Sequence, residues 1–391
     1  MNKIIHKKPR GAKSNRLTVG QIILLAFLSL LLILLTGVWI FLNIYTPAID
    51  MPDLPPLWGD WFSGWTLEED DDEIEVEELP DGIIVGEMVG MNRRQGDSFT
   101  FLIIGRTDDF RTNTLMFWHF NIRENKISLL SIPRDGWINI DGLYRGRINA
   151  AFATGFNRAR REGRTSAEAT EDGIAFLRQV LGVAFGLQVD RYIFVDLAGF
   201  RELVDAVGGV EIYVPMDMRY SDIYQNPPLH INLRRGLQTL DGNQAEQFVR
   251  FRSGYIDQDI GRIRAQQTFM AALMRDMLRF DIVQIGRIWD VADTYVTSNL
   301  SASDMLWFAP RVLGVSLEDI ITHTLPGEPA TIGAASVWSL YSAEAIQMIN
   351  EYYNPFLTDI PDGNFNIFEI SRRYAANANT RGTTMAELLG N

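Results

Sequence analysis

Residues 99–135, FTFLIIGRTDDFRTNTLMFWHFNIRENKISLLSIPRD, decide the architecture. Three apolar runs of strand length stand here: Phe99–Gly105, Leu115–Ile122 and Lys126–Ile132, rich in β-branched and aromatic residues. The polar turn Arg123-Glu124-Asn125 joins the last two as a hairpin. Outward from them the period changes. Ile148–Arg161 and Ala167–Phe185 read as helices, Arg191–Val195 as a strand, and a helix then runs through Val207. Gly208-Gly209 stops that helix before a strand at Val210–Val214. Asp241 caps a helix reaching about Arg252, and helices follow at Asp259–Phe280, Asp281–Asp293 and Ser301–Leu313. Strands alternating with helices predict an α/β fold, a central mixed β-sheet flanked by helices.

The amino-terminal end has a different character. A basic segment, residues 1–20, carries Lys3, Lys7, Lys8, Arg10, Lys13 and Arg16. The uncharged apolar run Ile22–Leu42 follows, long enough as a helix to cross the roughly 30 Å hydrocarbon core. A basic flank on one side only, with no small-residue cleavage site after the run, predicts a single-pass transmembrane signal-anchor over residues 21–45. The expected location is therefore the plasma membrane, with the rest of the chain extracytoplasmic. Residues 46–95 read as a stalk followed by a carboxylate-dense, self-repelling linker at Glu68–Glu78. The main domain is expected over 96–357, and a polar, Asn-rich, loosely ordered tail over 358–391.

Composition excludes several chemistries. The chain holds no cysteine and four scattered histidines, which argues against a zinc site and a disulfide framework. There is no Gly-Lys dipeptide for a Walker A loop, no His-Glu-x-x-His and no Gly-x-Ser-x-Gly. A net charge of −13 argues against nucleic acid as a partner. What remains for chemistry is arginines, aspartates and an apolar interior.

Within that acidic chain, Phe248-Val249-Arg250-Phe251-Arg252 and Asp259-Ile260-Gly261-Arg262-Ile263-Arg264-Ala265-Gln266-Gln267 concentrate arginines. Guanidinium forks fit phosphate oxygens bidentately, so the cluster points to an anion site. Asp259, Arg262 and Gln266 are spaced i, i+3 and i+7, on one helix face. Beside them Ile263, Met270, Met274 and Met277 make an apolar stripe, either ordinary core or the wall of a lipid-tail pocket. Arg250 and Arg252 reach one ligand only if the helix ends there, which Ser253-Gly254 allows. Polar segments also sit where strands end, at Gly105–Thr114, at Ser131–Asp135 and at Arg147-Ile148-Asn149, the position at which open α/β sheets bind ligands.

This pattern resembles the LytR-CpsA-Psr family of cell-wall transferases. The shared motifs run from about Phe99 to Pro329: SIPRD (131–135), RIN (147–149), LVDAVGGVEIYVP (203–215), LDGNQAEQFVRFR (240–252), DIGRI (259–263) with QQ (266–267), and TLPGE (324–328). The resemblance implies an LCP-like α/β/α domain that moves a glycopolymer from a polyprenyl-diphosphate carrier onto peptidoglycan, with Mg2+ or Mn2+ as cofactor. It implies phosphate-binding roles for Arg134, Arg250 and Arg252. Substrate-binding roles fall to Arg111, Arg147, Asp259, Arg262, Gln266 and Gln267, and Asp108 becomes the base for the acceptor hydroxyl.

The chain departs from the family at the implied metal site. Thr107 stands where an aspartate is usual, and Asn113 stands for the aspartate of Arg-x-Asp-Thr. The expected metal ligands are therefore Asp108, Asp109 and Asn113. Arg147 replaces a usual lysine and Ala265 a common arginine. Three readings stay open: a transferase, a catalytically impaired polyprenyl-phosphate-binding or regulatory protein, and a polyprenyl-diphosphate hydrolase.

Overall fold

The three apolar runs become adjacent strands of one sheet. A computed structural model describes residues 98–107, 110–225, 227–280, 282–372 and 381–390. The expected basic segment, anchor and stalk lie outside them. Among the described residues, no helix is long and apolar enough to cross a membrane. Strands β1 (Ser98–Arg106), β2 (Thr112–Asn121) and β3 (Lys126–Ser131) pair antiparallel in sequence. The two-stranded excursion β4 (Trp137–Ile140) and β5 (Tyr144–Arg147) follows, then helices α1 (Ala151–Arg161) and α2 (Ser166–Phe185). Strand β6 (Arg191–Asp196) returns parallel to β1, and α3 (Leu197–Ala206) follows it.

A second layer of strands comes next. β7 (Val210–Val214) pairs with β10 (Gly236–Leu240), and β8 (Met218–Asp222) with β9 (Leu229–Leu233). Helices α4 (Gly242–Arg250), α5 (Asp259–Met277) and α6 (Ile282–Tyr295) lead to the short strand β11 (Val296–Ser298) and to α7 (Ala302–Val312). β12 (Ile320–Thr324) lies parallel to β3, and β13 (Gly327–Ile332) forms a hairpin with β14 (Ala335–Leu340). Helix α8 (Ser342–Tyr352) precedes β15 (Thr383–Thr384) and a last turn, α9 (Met385–Leu388). The main sheet is mixed, in the order β11-β6-β1-β2-β3-β12-β15.

Alternation sorts the sheet's side chains into two cores. Leu102, Ile104, Leu115 and Phe117 pack with Phe152, Leu177, Leu181 and Phe185 of α1 and α2. On the opposite face Phe99 meets Trp307 and Phe308 of α7 at ring separations of 5.5 and 4.9 Å. Helices thus cover both faces, the α/β/α arrangement that the resemblance implies. A separate core joins Val210, Ile212, Ile231 and Leu233 to Phe248 of α4 and Phe269 of α5.

Helix ends follow local chemistry. Thr165 with Glu168, Asp241 with Gln244 and Ser301 with Asp304 form capping boxes. Gly208 and Gly209 take φ of 87° and 85°, the left-handed conformation that stops α3 where the dipeptide predicts. The tail expectation needs correction. Residues beyond 357 include Ile360, Phe365 and Met385, buried to 1%, 8% and 0% exposure, and β15 extends the main sheet by pairing with β12. A few apolar residues suffice to dock an otherwise polar segment, so the described residues beyond 357 pack on the domain and are not a loose tail.

Candidate functional site

β1, β3, β6 and β12 run in one direction, so their carboxyl ends share one edge of the sheet. A cavity of about 700 Å3 opens there, on the face that carries Ile103 and Met116. β1 contributes Gly105 and Arg106, the next turn Thr107, the start of β2 Asn113 and Thr114, and the segment after β3 Arg134. Arg250, Arg252, Tyr255, Gln258, Arg262 and Gln266 come from α4, α5 and the loop between them. Val195, Leu197, Phe200, Leu229, Val249, Phe269 and Met270 supply apolar wall. Five arginines against two aspartates, Asp196 and Asp222, line it among the described residues, so the lining is cationic at one part and greasy at another.

The arginines are held from behind. Arg262 Nη2 lies 2.9 Å from Asp259 Oδ1 in an ion pair one turn along α5, and the same oxygen lies 3.5 Å from Arg134 Nε. Arg134 Nε also stands 3.6 Å from Asp135, and its Nη1 donates to Asn113 Oδ1 at 2.6 Å. Burial and repulsion from Arg134 and Arg252 push the Arg262 guanidinium down to about 10, against the pull of Asp259. The cluster is therefore short of negative charge, which is the electrostatic condition for taking up an anion. Two of the three described non-glycine residues with positive φ, Phe110 at 60° and Gln258 at 44°, adjoin the cavity, strain of the kind held at binding sites.

The helix ends earlier than Ser253-Gly254, between the paired arginines. α4 ends at Arg250 and Phe251 turns extended, at φ −62° and ψ 133°, so Arg250 and Arg252 both line the cavity although two residues apart. Arg250 is the more committed of the two: it donates to Glu246 Oε1 at 2.6 Å and to Gln225 Oε1 at 2.7 Å. On α5, Arg262 and Gln266 face the cavity; Asp259 stands behind as the partner of Arg262, and the Gln266 amide donates to the Val249 carbonyl. The apolar stripe divides. Met270 lines the cavity, while Ile263 and Met274 are buried at 4% and 5% exposure.

Four expected ligand contacts are not brought into the cavity: Asp259, which stands behind it, and Gln267, Arg111 and Arg147. Gln267 sits about 100° round the helix from Gln266. Its amide donates to Ser131 Oγ, the His323 carbonyl and Thr324 Oγ1, tying α5 to the ends of β3 and β12. Arg111 is exposed, and its carbonyl accepts from Thr107 N at 3.0 Å. Arg147 donates to the Ser336 carbonyl at 2.7 Å and approaches Asp135 at 3.9 Å, one layer removed from the cavity.

Asp108 and Asp109 lie outside the described residues. Asn113 is committed: its Nδ2 donates to Thr107 Oγ1 at 2.8 Å and its Oδ1 receives Arg134. Among the described residues no group of three His, Asp or Glu side chains is placed to hold a metal ion. A hard divalent cation takes carboxylate and free carbonyl oxygens. The described donors, a hydroxyl and an amide already bonded to each other and to a guanidinium, do not fit one.

Sequence reasoning passed over Arg106, Asp196, Tyr255 and the β8–β9 residues Tyr220, Asp222 and Gln225, all lining the cavity. Arg106 was visible in the polar segment after β1. The β8–β9 residues had no signal, because a long chain return brings them over the site.

Comparison with known proteins agrees with this geometry. The model of the LytR_cpsA_psr family matches residues 69–354. The chain is 29% identical over 268 residues to the probable cell wall biosynthesis protein LcpB of Corynebacterium glutamicum, covering 66% of this chain and 59% of LcpB. It is 28% identical over 268 residues to the polyisoprenyl-teichoic acid–peptidoglycan teichoic acid transferase TagU of Oceanobacillus iheyensis, covering 67% and 72%. The match thus spans about three fifths of LcpB's length. The crystal structure of Bacillus subtilis TagV superimposes with a TM-score of 0.55 at 22% identity, over 66% of this chain and 99% of that one, so the fold is shared.

Proposed function

Because the chain belongs to the LytR_cpsA_psr family, we propose that it is a membrane-anchored phosphotransferase that moves a glycopolymer from a polyprenyl-diphosphate carrier onto peptidoglycan. The observation that carries this reading is the division of one cavity into an arginine cluster and an apolar wall. A diphosphate on a hydrocarbon chain has the same two parts.

Arg134, Arg252 and Arg262 hold the diphosphate oxygens, with Arg250 positioned by Glu246 and Gln225 at the side. Val249, Phe269 and Met270 enclose the first isoprene units. An acceptor hydroxyl oxygen of the wall glycan attacks the phosphorus that carries the glycopolymer. The bond between that phosphorus and the bridging oxygen breaks, and the electron pair leaves with polyprenyl phosphate. Asp108 takes the hydroxyl proton. The growing charge on the leaving phosphate is met by guanidinium groups preorganised by Asp259 and Asp135, so no covalent enzyme intermediate is needed. The anchor expected over residues 21–45 would tether the chain to the membrane that holds the carrier.

A second reading has its own support. The neutral pair Thr107 and Asn113 at the strand ends favours a protein that holds polyprenyl-linked glycan without turning it over. Incubation of the full chain with a polyprenyl-diphosphate-linked glycan and purified peptidoglycan separates the readings. Transfer expects polyprenyl phosphate release together with glycan attached to the wall. Release without attachment identifies a hydrolase, and tight binding without release identifies the binding protein.

A further inference from the structure

β1 closes with Arg106, where the register against β2 slips between Gly105 and Arg106. The side chain lines the cavity, and its guanidinium carbon lies 5.0 Å from the centroid of Phe110 and 5.8 Å from that of Phe194. Two rings therefore fix the fork in place. Nη2 reaches Asp196 Oδ2 at 3.4 Å, a long bond. Asp196 is also engaged elsewhere, because its Oδ1 caps α3 by accepting Gly199 N–H at 2.9 Å. The charge of Arg106 is thus only partly offset. Its Nε is buried without an acceptor, and Nη1 makes no hydrogen bond to any described residue.

Beside it, Thr107 Oγ1 accepts from Asn113 Nδ2 and Asn113 Oδ1 accepts from Arg134 Nη1. A cation entering here would find no carboxylate on these two residues and would face two guanidinium groups. We propose that Arg106 is a further anion-binding residue, and that with Arg134 and Arg262 it lets this chain bind a prenyl diphosphate without a divalent cation. The inference rests on the reading of the cavity given above and adds how its charge is met. Thr107 and Asn113 act as neutral spacers that orient Arg134, an arrangement a pair of carboxylates would alter by drawing in a cation.

Calorimetric titration of farnesyl diphosphate into the full chain in detergent, once in EDTA and once in excess magnesium chloride, tests this. The wild-type dissociation constant should agree within about twofold between the two buffers, and Arg106→Ala should weaken it roughly tenfold in both. Arg106→Lys keeps the charge and loses the fork, so it should recover part of that loss and stand in should the alanine variant not fold. The double variant Thr107→Asp/Asn113→Asp should become magnesium-dependent, read directly as magnesium binding to the protein–ligand complex. Wild-type binding that vanishes in EDTA overturns the inference and leaves the transferase reading intact. Wild-type affinity in a folded Arg106→Ala variant removes Arg106 from the site. Absence of binding in both buffers overturns the reading of the cavity, and this inference with it.

Discussion

Arg134 donates through Nη1 to Asn113 Oδ1 at 2.6 Å, joining the segment after β3 to the first turn of β2. With Nε held 3.5 Å from Asp259 on α5, the guanidinium is fixed by two separate elements and has Nη2 left for a ligand. Arg134→Ala should therefore lower transfer by roughly a hundred- to a thousandfold, the range for removing one preorganised charge donor. Asp259 keeps its ion pair with Arg262, so the melting temperature should change little. A folded Arg134→Ala protein with normal polyprenyl phosphate release would refute the assignment of the site.

Gln267 should behave in the opposite way. Its amide is buried and donates to three acceptors on β3 and β12. Gln267→Ala leaves those acceptors unsatisfied and opens a void, for a cost of about 2–4 kcal/mol. The measurement is the urea midpoint of the full chain, together with farnesyl diphosphate affinity. We expect a clear loss of stability with affinity held within about twofold, since the side chain does not line the cavity. An affinity loss without destabilisation would place Gln267 on the ligand after all.

These two residues also mark what was legible in the sequence. Strand period, the Asp241 cap and the Gly208-Gly209 stop are local, and each appears where the residues place it. Arg134, Arg252 and Arg262 share a cavity because their segments follow strand ends or one helix face. Choosing between Gln266 and Gln267 required the rotational phase of α5, which packing against β3 sets. Arg106 depended on a register slip, and β15 on pairing across sixty residues of chain with β12. Composition hid the last, because the short apolar run from Met385 follows a polar, Asn-rich stretch, yet Met385 is completely buried.

Arg262 makes anion binding sensitive to alkaline pH. Its charged form is disfavoured by burial and by Arg134, so the native guanidinium is pushed down to about 10, well below its ordinary value. Between those values the unfolded chain holds the extra proton, and this group's contribution to stability rises with pH there. Ligand affinity moves the other way, since the neutral form offers less to a phosphate. Pyrophosphate affinity should be flat with respect to this group below pH about 9 and fall as pH passes about 10. Arg262→Gln should bind more weakly throughout and lose that inflection, which a fluorescence titration across the range detects.

The apolar wall permits a test that separates tail from head group. Met270 lines the cavity on α5 next to Phe269, away from the ion pairs around Asp259. Met270→Trp adds bulk to open space rather than to closed core, so stability should change by no more than about 1 kcal/mol. The added ring occupies volume that the first isoprene units need. Affinity for farnesyl diphosphate should drop roughly tenfold, about 1.4 kcal/mol, while that for inorganic pyrophosphate stays the same. Equal losses for both ligands would mean that the substitution disturbs the arginine cluster. Unchanged farnesyl diphosphate affinity would mean that the hydrocarbon follows another path, past Leu197 and Phe200 of α3.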